Sequence, residues 1–378
     1  MNSSQSVSNQ GDRKIRYAVI GLGWFAQEAA LPAFAQSENS ELVALISDDA
    51  TKLQELSKKY NVQHTYSYDE YDECLASGHI DAIYIALPNH LHCEYTMRAA
   101  NQAIHVLCEK PMAMTEDECE DMIYACNNNS VKLMIAYRLH LEPANLAAIE
   151  VVQSGKIGEP RIFNSVFTQQ VKDEGNIRLR DVTGGGTIDD IGIYCLNAAR
   201  YLFQDEPYEV FAIAANKGEQ RFAEVEEMAT AILRFPNERL ATFTVSFGAA
   251  SVSTYQVVGT KGDLRVEPAY PWQGELKHFL TIEGETQEKT FSPSGQLAAE
   301  FSYFSDCILQ NKDPEPSGME GLTDVRIIRA LYESIEQGKP IKIPGLDEQQ
   351  HPSTEQTVQR PPNAEQPDLV NATSPKGT

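Results

Sequence analysis

No run of about 18 consecutive apolar residues occurs in this 378-residue chain, so no membrane-spanning helix is expected. The first residues, Met1 to Lys14, are rich in Ser, Asn and Gln and lack both an apolar core and a twin arginine. They read as a disordered arm and not as an export signal, which points to the cytoplasm. Basic residues are scarce: 31 Lys and Arg stand against 54 Asp and Glu, for a net charge of −23. Such a surface repels phosphates, so neither a nucleic acid nor a membrane is expected as a partner. The seven cysteines include no C-x-x-C pair. Reduced, mostly packed thiols follow. His90, His92 and Cys93 do not have the pattern of a metal site, and no metal is expected.

What the chain does have is a glycine turn near its start. Ile15 to Ile20 has strand character, Gly21-Leu22-Gly23-Trp24-Phe25-Ala26 follows, and Phe25, Ala29, Ala30, Ala33 and Phe34 recur at helical spacing. Strand, G-x-G-x-x-A and helix together form the fingerprint of a dinucleotide site. Gly21 permits the tight turn, Gly23 lets backbone approach a pyrophosphate, and Ala26 keeps helix and strand close. The free N–H groups of the helix start face the phosphates.

Five further strands, 41–47, 64–68, 81–87, 105–108 and 132–137, alternate with helical segments. Residues 15–140 are therefore expected to form an α/β Rossmann domain, a doubly wound parallel sheet with its ligand at the carboxyl edge. Beyond a helix over 142–154, the period changes to two in segments 161–169, 208–215, 227–235, 239–247, 254–259, 262–266 and 278–282. Helices are expected over 188–203, 298–311 and 323–337. Residues 141–343 thus read as an α+β domain with a large, open-faced, mostly antiparallel sheet. Its bare face suits a homo-oligomer, a dimer or tetramer. Residues 344–378, rich in Pro, Gln, Ser and Glu, read as a disordered tail.

Chemistry-bearing residues gather at strand ends. Glu109-Lys110-Pro111 ends the fifth strand, where an ammonium would stand beside a nicotinamide and a substrate hydroxyl. Burial would lower the pKa of such a lysine and fit it to move a proton. The competing reading is a solvated lysine at a strand stopped by proline. Gly184-Gly185-Gly186-Thr187 precedes a helix that carries Asp190, Tyr194 and Asn197 at i, i+4 and i+7, one polar stripe opposite an apolar one. A capped surface helix would show the same pattern. The second strand ends in Ser47, with Lys52 in the next helix, a pair suited to the 2′-phosphate of NADP. Asp48 and Asp49 leave room for NAD. Asn89 and His92 follow the fourth strand, Arg138 follows the sixth and suits substrate hydroxyls, and Arg178 precedes the triple glycine.

Taken together, the G-x-G-x-x-A turn, Glu109-Lys110-Pro111 and Asp190-x-Gly192-x-Tyr194 resemble the Gfo/Idh/MocA oxidoreductase family. Within it, Leu107 to Ala113, Arg178-Leu179-Arg180, Gly184 to Asn197 and Gly321 to Tyr332 are most similar to the glucose–fructose oxidoreductase group. The resemblance spans about Ile15 to Ile343. It implies Lys110 and Tyr194 as the catalytic pair, supported by Asp190, with Arg138 and Asn197 toward substrate. It implies cofactor contacts from Gly21, Leu22, Gly23, Trp24, Phe25, Ser47, Lys52, Leu87, Asn89, His92, Glu109, Lys110 and Arg178. Two departures stand out. Ile177 occupies the place of a tryptophan beside the arginine, which would leave the cofactor less enclosed, and the export signal of the periplasmic relatives is missing. The expected activity is NADP-dependent hydride transfer to or from a cyclic sugar or polyol. The alternatives are a dehydrogenase with exchangeable NAD(P) acting on an inositol, anhydro-sugar or trans-diol, and a non-catalytic nucleotide sensor.

Overall fold

The structure is a computed structural model that describes residues 13–345, 351–363 and 367–376. Strands β1 (Ile15–Ile20), β2 (Ser40–Ile46), β3 (His64–Tyr66), β4 (Ala82–Ile85), β5 (His105–Cys108) and β6 (Leu133–Ile135) pair in the order β3-β2-β1-β4-β5-β6. Every pairing in this sheet is parallel. All four residues of β4 are buried, as expected of a strand with helices on both faces. The strand order reverses between β1 and β4, so a crevice opens beyond their carboxyl ends.

The second sheet contains β7 (Pro160–Gln170), β8 (Glu209–Ala215), β9 (Met228–Phe235), β10 (Arg239–Ser246), β11 (Gly248–Gly259), β12 (Gly262–Val266), β13 (Leu276–Ile282), β14 (Glu285–Phe291) and β15 (Ile341–Lys342). They pair in the order β14-β13-β12-β11-β7-β10-β9-β8-β15, antiparallel except where β10 runs parallel to β7. Helices Ile193–Phe203 and Gly318–Gln337 pack against one face. On the other face Ile162, Ile213, Ile232 and Leu240 are exposed, so the period-two pattern correctly marks a bare sheet.

Three features depart from expectation. Strand β14, with sequence ETQEKTF, carries no apolar alternation because it is an exposed edge that, among the described residues, pairs with β13 alone. Helix Gln296–Gln310 returns to the first domain: Phe301 stacks on Phe34 at 4.1 Å and meets Tyr17 and Tyr84 edge-on. The tail, read as disordered, is anchored wherever it is described. Gly295 N–H donates to the Arg360 carbonyl, Asn363 to that of Ala29, and Val370 N–H to Gln27. Its polar composition conceals these contacts because their partners lie far away in sequence, two of them 334 and 343 residues off. Most of the expected N-terminal arm, 1–12, lies outside the described residues, as do 346–350, 364–366 and 377–378.

Candidate active site

The crevice beyond β1 and β4 widens into a cleft of about 1120 Å³ between the two sheets. Its floor is the glycine turn. Gly21 has φ +90°, and a Cβ there would lie 2.4 Å from the Ala86 carbonyl oxygen, so no other residue fits without displacement of β4. A Cβ on Gly23 would meet nothing within 4 Å, because Gly23 faces the open cleft. Trp24, Phe25 and Ala26 line the cleft beside it, and the Trp24 indole N–H is buried without a partner among the described residues. The helix begins as a π turn, Ala26–Ala30. An open glycine, an unpaired buried donor and a helix start together fit a dinucleotide. Gly21 and Leu22 stand behind this wall and shape it without lining it.

At the end of β2, Lys52 lines the cleft but Ser47 does not. Ser47 is buried, and its hydroxyl accepts from Asp49 N–H. Asp49 caps the following helix by accepting from Thr51 and Lys52 N–H at 2.9 and 3.0 Å, and Asp48 accepts from Tyr68 N–H. Past β4, Leu87 and Asn89 line the cleft, and Asn89 donates to the Gly184 carbonyl at 2.6 Å, tying this loop to the triple glycine. His92 does not reach the cleft. Its two ring nitrogens pair with the Leu87 and Pro111 carbonyls at 2.8 and 3.0 Å in a fully buried site, so it braces the two loops.

Lys110, Asp190, Arg178 and Tyr194 converge. The Lys110 ammonium donates to the Asp190 carbonyl at 2.7 Å and carboxylate at 3.3 Å, and Arg178 grips the other carboxylate oxygen at 2.7 Å. Lys110 Nζ lies 4.7 Å from the centre of the Tyr194 ring, and the Arg138 guanidinium lies 4.9 Å from it. Burial works to lower the Lys110 pKa, but Tyr194, Asp190 and Glu109 outweigh it, and the net direction is up. The expectation of a burial-lowered lysine is therefore corrected: its neighbours keep it charged. Burial works to raise Asp190, and the two cations overcome it and hold the carboxyl below its usual range. Glu109 lines the cleft, accepts from the buried Tyr84 hydroxyl, and is pushed up by burial.

Arg138 reaches the cleft already engaged, donating to Gln296 and to the Tyr270 carbonyl. Asn197 is turned away. It is buried, its amide oxygen accepts from His140, and its amide nitrogen donates to Glu320 and Asp324. A π turn over Ile188–Gly192 separates Asp190 from the regular helix Ile193–Phe203, in which Tyr194 faces the cleft while Asn197, three residues on, faces the interior. The regular i, i+4, i+7 stripe assumed an unbroken α-helix. Behind it, Arg200 donates to Glu206, Glu320 and Asp324. Glu206 and Glu320 with His351 are close enough to share a metal, but the guanidinium already supplies the positive charge there.

Several cleft residues were not anticipated. Phe167, Tyr270 and Trp272 line it; Tyr194 meets Phe167 at 5.7 Å and Tyr270 at 6.0 Å, and Trp272 meets Phe25 at 6.4 Å. The sequence signal was Pro268-Ala269-Tyr270-Pro271-Trp272, two aromatics held between prolines. Ile177 lines the cleft at 48% exposure. Tail residues Asn371, Ala372, Thr373, Pro375 and Lys376 complete the lining.

A parallel sheet with a glycine crossover and a Lys–Asp–Tyr cluster at its carboxyl edge defines a nicotinamide-dependent oxidoreductase by fold and site. Comparison with known proteins agrees. Residues 15–137 match the model of the Gfo/Idh/MocA oxidoreductase family with its NAD-binding Rossmann fold, and residues 145–265 match a C-terminal domain of the same family. The chain is 37% identical over 340 residues to the D-xylose 1-dehydrogenase [NADP(+)] of Haloarcula marismortui, covering 88% of this chain and 94% of that one. It superposes on the aldose–aldose oxidoreductase of Caulobacter crescentus, solved with glycerol, with a TM-score of 0.84 and 36% identity, covering 87% of this chain and 100% of that one. A 3-ketoreductase from Actinomadura kijaniata shares the fold at TM-score 0.79 and 23% identity. The chain belongs to the Gfo/Idh/MocA oxidoreductase family.

Proposed function

We propose that this protein is an NADP-dependent oxidoreductase that transfers a hydride between nicotinamide and a hydroxyl-bearing carbon of a cyclic sugar or polyol, with Tyr194 as the proton-transferring group. The observation that carries the reading is the charged Lys110, fixed by Asp190 against the face of Tyr194, in the cleft that also contains Gly23 and Lys52. The NADP(+)-dependent xylose dehydrogenase and the aldose–aldose oxidoreductase among its relatives support both cofactor and substrate class.

When bound, NADP supplies or takes the hydride. Gly23, Trp24 and the helix start would hold its phosphates, Lys52 its adenosine end, and Leu87, Asn89 and Glu109 the nicotinamide side. The chain's own part is to move a proton. Oxidation of an alcohol needs an acceptor for the hydroxyl proton, and reduction needs a donor for the same position. The Tyr194 phenol serves both. Two cations, Lys110 and Arg138, flank its ring and stabilise the negative charge that develops on its oxygen. The rings of Phe167 and Tyr270 pack beside the phenol and place apolar surface next to those charges, which strengthens their effect. Asp190 holds Lys110 in place and does not itself exchange a proton.

The bare sheet supports a homo-oligomer, a dimer or tetramer, as part of the proposal. The seven unpaired cysteines, six of them buried, support a reducing cytoplasmic location. The described residues contain no helix long and apolar enough to cross a membrane.

The test is to purify the protein without added cofactor, denature it, identify any released nucleotide, and assay a panel of aldoses, ketoses and polyols. Stoichiometric NADP(H) with turnover of paired sugars supports the reading in its closed form. An empty protein that turns over sugars only with added NADP supports exchange each cycle, which the exposed Ile177 favours. Nucleotide binding with no turnover on the whole panel overturns it.

A further inference from the structure

The cofactor cleft has a wall that is not part of either sheet domain. After β15 the chain travels back across the first domain. Arg360 donates to Ser302 at 3.0 Å and its carbonyl accepts from Gly295 N–H, which carries the tail past helix Gln296–Gln310. The tail then crosses the cleft and is pinned on both sides. On the Rossmann side Val370 N–H donates to Gln27 Oε1 at 2.7 Å. Gln27 Nε2 donates back to the Val370 carbonyl at 2.8 Å and to the Leu22 carbonyl at 2.9 Å. Gln27 is 1% exposed and sits in the π turn directly after the glycine pair. On the opposite side Lys172 N–H, just beyond β7, donates to the Pro375 carbonyl at 3.0 Å, and Pro375 is buried.

Between these anchors Asn371 donates to Asp49 Oδ2 at 3.0 Å. Asp49 follows β2 and precedes Lys52, in the segment where an acid can take an adenosine ribose hydroxyl, the contact that marks an NAD site. Here one carboxylate oxygen is committed to the helix N-terminus and the other to the tail amide. The Asn371 bond is the largest influence holding this carboxyl below its usual range. With Asp49 occupied, two cations, Lys52 and Lys376, remain in the cleft lining to meet a 2′-phosphate.

We propose that residues 367–376 form a belt across the cofactor cleft that slows release of the dinucleotide and, through the Asn371–Asp49 bond, selects NADP over NAD. This rests on the reading of the cleft as a nicotinamide dinucleotide site. It also revises the role of Ile177: the side opened by that residue is offset by closure at the tail.

The experiment compares the full chain, a chain ending at residue 366, and Asn371→Ala. NADP and NAD dissociation constants are measured by isothermal titration, and NADPH release is followed by its fluorescence after mixing with excess NADP. The truncated chain is expected to release NADPH at least 10-fold faster. Asn371→Ala is expected to shift the NADP-to-NAD preference about 10-fold toward NAD, because it frees Asp49 for a ribose hydroxyl. Release and preference both unchanged overturn the belt. If the truncated chain does not fold, Asn371→Ala and Gln27→Ala, which cut single anchors, decide the question by the same two readouts. A folded full chain that binds neither nucleotide overturns the cofactor reading itself, an outcome distinct from failure of the belt.

Discussion

At the scale of single residues, the roles proposed for Tyr194 and Lys110 are separable. Tyr194→Phe removes the hydroxyl but leaves the ring between Phe167 and Tyr270, so packing is preserved and the proton step is lost. Lys110→Ala leaves Asp190 with Arg178 alone and removes one of two cations from the phenol. Each should lower kcat by about 100-fold or more, the usual yield of a positioned acid–base group. Steady-state assays with the accepted sugar check this, and a near-normal rate in either variant removes that residue from the mechanism. Gly21→Ala tests the floor of the site differently. The added Cβ meets the Ala86 carbonyl in a backbone conformation that L residues rarely adopt. The expected cost is about 1–3 kcal/mol of stability from overpacking, with additional backbone strain, read by denaturant titration.

At the scale of elements, the two consecutive aspartates of the π turn face opposite ways. Asp190 meets Lys110 and Arg178, while Asp189 meets Arg329 and Tyr332 on the far side. Burial pushes the Asp189 carboxyl up to about 6, against the lowering pull of Arg329. A raised carboxyl binds its proton more tightly folded than unfolded. Stability therefore falls as pH rises from about 4 to about 6, on the order of 2–3 kcal/mol at ~1.4 kcal/mol per pH unit. Asp324, pushed to about 7, acts in the same direction. Asp189→Asn should flatten its share of that slope, measured by chemical denaturation between pH 4.5 and 7.

The same turn shows where sequence reading succeeds and stops. Strand–glycine–helix order, Lys110 at a strand end, and Asp190 with Tyr194 one turn apart are local patterns, and local patterns survive folding. Asn197 was misplaced because the partners that hold it in the interior, His140, Glu320 and Asp324, come from distant sequence. His92 was misplaced because its two carbonyl partners become neighbours only when two loops meet. The aromatic wall and the tail were missed for a related reason: each is joined to the site by contacts across distant sequence, such as Gln27 with Val370. Polarity alone cannot distinguish an unanchored tail from an anchored one.

At the scale of the molecule, the bare face of the nine-stranded sheet is its least satisfied surface. Neighbouring strands place side chains in register there: Leu240 beside Ile162, Thr242 beside Asn164 and Ile232, and Thr244 beside Val166 and Thr230. Ile162, Val166, Ile213, Met228, Ile232 and Leu240 are all at least a third exposed on adjacent strands. Exposed apolar residues interspersed with threonines across four adjacent strands suit an interface better than a lone surface. The chain's net charge of −23 opposes casual association, so what pairs here must gain enough from burial to overcome repulsion. A two-fold axis over this face would bring Ile232 of each copy near the centre of the patch, where desolvation is most complete. Ile232→Lys would then bury a charge in each copy. Sedimentation velocity at micromolar concentration should show the parent chain as a dimer or larger and the variant as a monomer. Tyr194 meets the sheet at Phe167, on the face that the helices cover, so the monomeric variant should still bind NADP. A monomeric parent chain removes the oligomer from the reading, and loss of NADP binding in the variant would mean that the sheet's assembly shapes the cleft.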